Sequence, residues 1–138
     1  MRAALSQVQS ESPVAPVSMA ASAVVAPVVL DLKHLRRFTF GSPAFEREIM
    51  GLFAAELPKS QAALKTASTA AQWHMAAHTL KGSALGVGAG RLALAAREAE
   101  VKSFEDASGR SALLARIEGA ITEVVAEAQR LELLPALG

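Results

Sequence analysis

A histidine, a lysine and a glycine lie close together in the segment from His78 to Gly82, within a stretch of helical composition. An imidazole with the usual pKa of about 6.5 keeps an unprotonated ring nitrogen near neutral pH, and that nitrogen can accept a phosphoryl group. Lys81 would supply a positive charge to the equatorial oxygens, where charge concentrates during phosphoryl transfer. Gly82 costs about 1 kcal/mol relative to alanine in a helix interior, so we expect its missing side chain to admit another molecule.

The helix that carries these residues divides into a core face and an outward face. At about 100° per residue, five residues gather opposite His78 and predict the buried side: Trp73, Ala76, Leu80, Ala84 and Val87. Six residues lie within about 60° of His78 on the other side: Ala71, His74, Met75, Lys81, Gly82 and Leu85. Exposed apolar side chains such as Met75 and Leu85 beside a histidine favour a docking surface for another protein.

The remainder of the chain predicts an all-α domain behind this face. From Leu30 onward Ala, Leu, Glu, Lys and Arg dominate, and apolar residues recur at spacings of three and four. We predict an up-and-down antiparallel four-helix bundle over residues 30–135, with a short additional N-terminal helix that covers one end. Residues 1–29 are rich in Ala, Val, Ser and Pro and lack aromatic residues, which is typical of a flexible tail.

Local signals place the first two helices. The short first helix is expected at about Leu32 to Phe38 and should end near Gly41. Ser42 followed by Pro43 predicts the start of the second helix, because serine caps helices and proline fits their first position. Its predicted buried stripe has five members: Phe45, Ile49, Leu52, Phe53 and Leu57. Pro58 lacks a backbone N–H and should kink or split this helix.

The three later helices have their own boundaries. Thr69, with Gln72 three residues on, has the spacing of a capping box and opens a helix that we extend to about Val87. The fourth helix should pack through one face: Leu92, Ala95, Ala96 and Ala99. Ser108 and Gly109 are expected to separate it from the last helix. The seam of that last helix is predicted as Leu114, Ile117, Ile121, Val124, Ala128 and Leu131.

Composition narrows the classes of function. The chain has 138 residues, with 14 Lys and Arg against 13 Asp and Glu, which gives no strong field for nucleic acid or an anionic membrane. It has no cysteine, which excludes disulfides and thiolate sites and suits the cytoplasm. The longest apolar run, Ala23 to Leu30, is under half of the roughly 20 residues that cross a bilayer. We expect a cytoplasmic protein without a signal peptide.

The segment His78 to Ala84, with the sequence His-Thr-Leu-Lys-Gly-Ser-Ala, resembles the motif of histidine-containing phosphotransfer (HPt) domains. That motif consists of histidine, any residue, leucine, lysine, glycine, serine and a small residue. Later positions also fit the spacing of the family's next helix hairpin: Gly88, Leu92, Ala96 and Glu100. The helix pattern resembles the family over roughly Leu30 to Leu134, which leaves the N-terminal segment outside the resemblance.

The resemblance implies a phosphocarrier in a two-component phosphorelay. His78 would be phosphorylated from an aspartate of a receiver domain, in a response regulator or hybrid kinase, and would pass the group to another aspartate. Lys81 would assist electrostatically and Gly82 would give the receiver room. The Mg²⁺ of such transfers belongs to the receiver, so the chain would need no cofactor of its own. Autokinase activity is not expected, and neither is a stable oligomer, because a carrier must leave each partner.

One position departs from the family pattern. Some members have a glutamine or an arginine on the helix after the motif, where it hydrogen-bonds near the phosphohistidine. This chain has Glu100 and Phe104 in that region, so the resemblance does not assign the contact.

Four other interpretations stay open. The bundle could be an adaptor that binds a response regulator or kinase without phosphotransfer. It could be a metal-dependent helical enzyme that uses His74 and His78 with carboxylates from other helices. It could be a domain of a hybrid kinase, although the initial methionine favours an independent protein. Gly82 and Gly86 could serve close helix packing instead of partner access.

Overall fold

The computed structural model describes residues 27–136, and within that range it contains five helices and no strand. The helices are α1 Leu32–Thr39, α2 Pro43–Thr66, α3 Ala70–Val87, α4 Gly90–Val101 and α5 Ala107–Arg130. The predicted all-α class is confirmed. Of the segment that we predicted to be a flexible tail, all but the last three residues lie outside the described range.

Contacts between neighbouring helices show their relative direction. Near the start of α3, Trp73 donates its indole N–H to the carbonyl oxygen of Ala99 at the end of α4, at 2.8 Å. Arg91 at the start of α4 pairs with Glu123 in the second half of α5, at 3.0 Å. Both pairs therefore run antiparallel. Since α5 also packs on α2, and α2 on α3, these contacts fit the predicted up-and-down order.

All five helices contribute to one apolar core. The largest side chains that are fully buried in it are Trp73, Leu35, Met50, Leu64, Leu80, Leu92, Ile117 and Val124. Burying each leucine or isoleucine contributes roughly 1.5–3 kcal/mol. The predicted face of α4 is confirmed, because Leu92, Ala95, Ala96 and Ala99 are all buried. The small side chains of α4 let it lie close to α3, and these two helices share the most extensive contact.

The predicted buried stripe of α2 is wrong in part. Phe45 and Leu52 are exposed, and Leu52 keeps 65% of its surface. The buried face is rotated and includes Glu46, which a hydrophobic pattern cannot select. The Glu46 carboxylate accepts hydrogen bonds from Arg36 Nε of α1 at 3.3 Å and from the Thr39 hydroxyl at 3.2 Å. These bonds satisfy a buried charge and hold α1 against α2.

Two predicted boundaries are also corrected. The helix α2 continues through Pro58, which lies on its exposed side, so the predicted split does not occur. Ser108 and Gly109 lie in the first turn of α5 and not in the connection before it. The helix begins earlier because the Asp106 carboxylate caps it, accepting the Gly109 N–H at 2.9 Å. The caps predicted from Ser42 and Thr69 are both confirmed.

No helix in the described part of the chain combines the length and the apolar character that crossing a membrane requires.

The contact between Trp73 and Ala99 predicts a stability effect. Trp73→Phe should lower the free energy of unfolding by about 1–3 kcal/mol, because it removes the indole hydrogen bond and leaves space in the core. Urea denaturation followed by circular dichroism would measure the change. Val101→Ala, at an exposed position near the end of α4, should stay within about 0.5 kcal/mol of wild type. Equal stabilities of the two variants would contradict the role given to Trp73.

Candidate functional site

The imidazole of His78 lies on the outward face of α3, with 58% of its side chain exposed. The opposite face of α3 is buried through Trp73, Ala77, Leu80, Ala84 and Val87. Ala76, which we placed in the core, is only half-buried, and Ala77 takes its place. The helix therefore presents His78 to solvent while its opposite face packs in the core.

The nearest charged group to His78 is the carboxylate of Glu100, in the last turn of α4. Its Oε2 lies 2.6 Å from Nδ1 of His78, and its Oε1 lies 2.7 Å from Nζ of Lys81. Only 10% of the Glu100 side chain is exposed. Because a carboxylate only accepts hydrogen bonds, Nδ1 of His78 must be the donor. Among the described residues, no hydrogen bond to Nε2 of His78 is found.

A second histidine, His74, lies one turn before His78 on the same face. Its Nδ1 donates to the backbone carbonyl of Glu100 at 3.1 Å. The two imidazole rings are nearly parallel, with centroids 6.3 Å apart. Nε2 of His74 lies 3.8 Å from Oε2 of Glu100. The part of the chain that the structure describes has no group of three or more His, Cys, Asp or Glu side chains that could hold a metal ion.

The ammonium of Lys81 points to α4 and is paired with Glu100. We expected this lysine to face the phosphoryl oxygens of a modified His78. Its long side chain keeps a quarter of its surface exposed and starts from the turn that follows His78.

Two glycines leave the surface beside His78 flat. A Cβ placed on Gly82 or on Gly86 would meet nothing within 4 Å. Helix packing within the described part of the chain therefore requires neither glycine. The hypothesis that Gly82 and Gly86 allow close helix packing there is wrong. Met75 and Leu85, on the same face, are 61% and 54% exposed. Ala71 is exposed as well, so every predicted partner-binding residue lies at the surface.

The surface extends further than the sequence indicated. Leu52 of α2, which we had assigned to the core, lines a shallow groove with Ser83 and Val87 of α3. A second groove between these helices runs past Met75 and Thr79. Both grooves combine exposed apolar side chains with polar ones, among them Glu56, which lines both.

Comparisons of this chain with protein-family models, with curated proteins and with solved structures gave no match.

The ion pair at Glu100 predicts a pKa that can be measured. The hydrogen bond from Lys81, and after it the bond from His78, hold the pKa of Glu100 below its ordinary value of 4.5, while desolvation opposes them. A carboxyl group whose pKa is lowered by folding stabilises the protein above its unfolded pKa, and this stabilisation is lost as pH falls through the folded pKa. In Lys81→Met the pKa of Glu100 should rise toward its ordinary value. The free energy of unfolding of this variant should then fall less than that of wild type as the pH is lowered through the pKa of Glu100.

Carbon NMR of the Glu100 carboxyl during an acid titration would measure this pKa. Lys59→Met is the matched control, because Lys59 pairs with Glu56 on α2. A pKa of Glu100 that is the same in wild type and Lys81→Met would show that the ion pair does not form in solution.

Proposed function

We propose that this chain is a phosphocarrier of the HPt type, in which His78 receives a phosphoryl group from a receiver-domain aspartate and passes it to another. The observation that carries the proposal is the flat surface around an exposed imidazole. Gly82 follows His78 by one turn, and nothing in the described chain occupies the space in front of it. Gly82 destabilises the helix and has no packing role within the described chain. Its presence is explained if a partner must bring its own phosphorylated group close to His78.

The groups present account for every bond, electron pair and proton in the proposed transfer. The electron pair of Nε2 in neutral His78 attacks the phosphorus of an aspartyl phosphate, and the bond between phosphorus and the aspartate oxygen breaks. The electrons of that bond leave with the aspartate as a free carboxylate. The ring keeps its proton on Nδ1, so phosphorylated His78 carries a positive imidazole and a negative phosphoryl group. The reverse attack by another aspartate returns the ring to its neutral form.

The partner we propose is a receiver domain of a response regulator or a hybrid kinase, which brings the Mg²⁺ that transfer requires. Exposed Met75 and Leu85 supply apolar contact area on the face of α3 that carries His78. We place the encounter in the cytoplasm and expect a monomer that forms short-lived complexes, because a relay protein must dissociate before its next transfer. The adaptor alternative uses the same apolar face, and it differs in needing no nucleophile at His78.

Phosphorylation of His78 decides between a carrier and an adaptor. Incubation with phosphorylated receiver domains and Mg²⁺, or with phosphoramidate, should give acid-labile, base-stable phosphate on wild type and none on His78→Gln, because the proposal assigns the phosphoryl group to His78. Mass spectrometry and the shift in gel mobility would measure the phosphate bound to each protein.

His74→Gln is the matched control and should keep the label, since His74 lies on the same face with similar exposure. Lys81→Ala should label more slowly, by about 10–1000-fold if the lysine stabilises transferred charge. Folded wild type that takes no label from any donor would favour the adaptor, and a label on His78→Gln would mean that another residue is modified.

Substitutions of the helical glycines should affect stability and transfer rate differently. Gly82→Ala and Gly86→Ala should each raise the free energy of unfolding by up to about 1 kcal/mol, as should Gly51→Ala and Gly119→Ala, because all four lie in helices with open space at Cβ. Only the changes at positions 82 and 86 should slow transfer from a receiver. Stopped-flow transfer assays and thermal unfolding would measure both, and equal transfer rates in all four variants would contradict partner access at α3.

A further inference from the structure

We propose that the turn between α1 and α2 binds the surface of a membrane that contains anionic lipids. The surface concerned, which we call the basic-aromatic turn, has six members: Lys33, Arg36, Arg37, Phe38, Phe40 and Phe45. The proposed phosphotransfer at His78 does not use these residues. The inference therefore goes beyond that function and does not depend on it.

Phe40 is the member of this turn that the fold itself does not explain. It is 93% exposed, so its ring packs on almost nothing within the described chain. Its φ of +52° lies in the left-handed region, where glycine or asparagine usually ends a helix and a bulky side chain is rare. A residue that is unfavourable in both hydration and backbone conformation is explained if its ring contacts another molecule.

Two further phenylalanines flank the turn. Phe38, in the last turn of α1, is 54% exposed, and Phe45, in the first turn of α2, is 42% exposed. Three of the five phenylalanines of the chain are therefore exposed within one short segment. Phenylalanine is typical of the residues that interfacial segments bury at the boundary between lipid head groups and acyl chains.

Positive side chains share a face of α1 with Phe40. On a helical wheel, three residues lie within about 60° of position 40: Lys33, Arg36 and Arg37. Between residues 33 and 47 the chain has four Lys and Arg against one acidic residue, Glu46, whose carboxylate is buried beside Arg36. The net charge of +1 for the whole chain does not show this concentration of positive charge. Such a cluster attracts anionic lipid head groups.

The shape of the turn favours a bilayer over a protein as the binding partner. The Ser42 N–H donates to the Thr39 carbonyl at 3.0 Å, so the chain reverses tightly and Phe40 lies at the tip. The two grooves between α2 and α3 do not include Phe40. A protein would need a pocket shaped for this projecting ring, whereas fluid acyl chains accept it without one.

Binding at this turn would leave His78 accessible. The Asp31 N–H at the start of α1 donates to the Gly88 carbonyl at 2.8 Å, which places α1 beside the end of α3. His78 precedes Gly88 by ten residues, or about 15 Å along the helix axis. A membrane surface and a receiver domain could therefore be bound at the same time.

Sedimentation of the full chain with lipid vesicles measures the proposed binding. We expect binding to vesicles of phosphatidylcholine mixed with an equal amount of phosphatidylserine, and none to phosphatidylcholine alone. Added salt should weaken the binding, because ions screen charges at an exposed surface. No sedimentation with the mixed vesicles, or equal sedimentation with both kinds, would overturn the proposal.

Phe40→Gly tests the aromatic ring without disturbing the fold, because glycine adopts a positive φ without strain. Its affinity for the mixed vesicles should fall by about 10–100-fold, as expected when one phenylalanine is no longer removed from water. The midpoint of thermal unfolding should not fall. Val101→Ser is the matched control and should bind like wild type, because Val101 is 78% exposed at the end of α4. Unchanged affinity in Phe40→Gly would overturn the proposal.

The contribution of charge is tested in the same assay. Lys33→Gln and Arg37→Gln should each weaken binding by roughly fivefold, the effect of one basic side chain near an anionic surface. Arg97→Gln removes the same charge from an exposed position on α4 and should have little effect. A loss in Arg97→Gln as large as that in Arg37→Gln would show that net charge alone drives binding, which contradicts a role for this turn.

Tryptophan fluorescence distinguishes insertion of the ring from attraction by charge. Phe40→Trp should be quenched by mixed vesicles with brominated acyl chains, whereas wild type should not, because its only tryptophan is the buried Trp73. Absence of quenching in Phe40→Trp would overturn the proposal. If Phe40→Gly binds vesicles like wild type but takes phosphoryl groups from a receiver more slowly, the turn belongs to a protein interface and the membrane proposal is wrong.

Discussion

The hydrogen bond from the Trp73 indole to the Ala99 carbonyl sets the register on which the site depends. It joins the open end of the hairpin formed by α3 and α4, while Gly88 forms the turn at the other end with a φ of +84°. A Cβ at Gly88 would lie 2.8 Å from the Asp31 carbonyl oxygen, so the close approach of the chain before α1 requires glycine there. With both ends fixed, His78 and Glu100 lie opposite each other on adjacent helices.

The parts of the fold that follow local rules could be predicted from the sequence. The caps at Ser42 and Thr69 depend on one side chain and a nearby N–H, and the predicted face of α4 consists of apolar residues with no competing stripe. The outward position of His78 follows from the strongly apolar sector opposite to it. The buried face of α2 could not be found in this way, because it includes Glu46. The hydrogen bonds that Arg36 and Thr39 donate to the Glu46 carboxylate depend on how α1 packs on α2, which the sequence pattern does not show.

The outward position of His78 at the candidate site could be predicted from the sequence, whereas its contact with Glu100 could not. The spacing of His78, Lys81 and Gly82 is visible along one helix, whereas Glu100 belongs to the next one and is reached only through the hairpin register. A signal for it does exist. If Gly88 is taken as the turn of an antiparallel pair, residues about equally distant from it face each other, which places Glu100 near His78. The direction in which Lys81 points could not be read, because its flexible side chain can reach either a phosphoryl group or a carboxylate.

The open space in front of Gly82 and Gly86 bears on how this protein can change over time. Residues on that strip of α3 take no part in core packing, so a mutation there carries no folding penalty from lost contacts. The chemical character of this surface can therefore change by single substitutions while the core, with Trp73 and its neighbours, remains under separate selection. After gene duplication, two copies of such a chain could acquire different α3 surfaces without passing through an unstable intermediate.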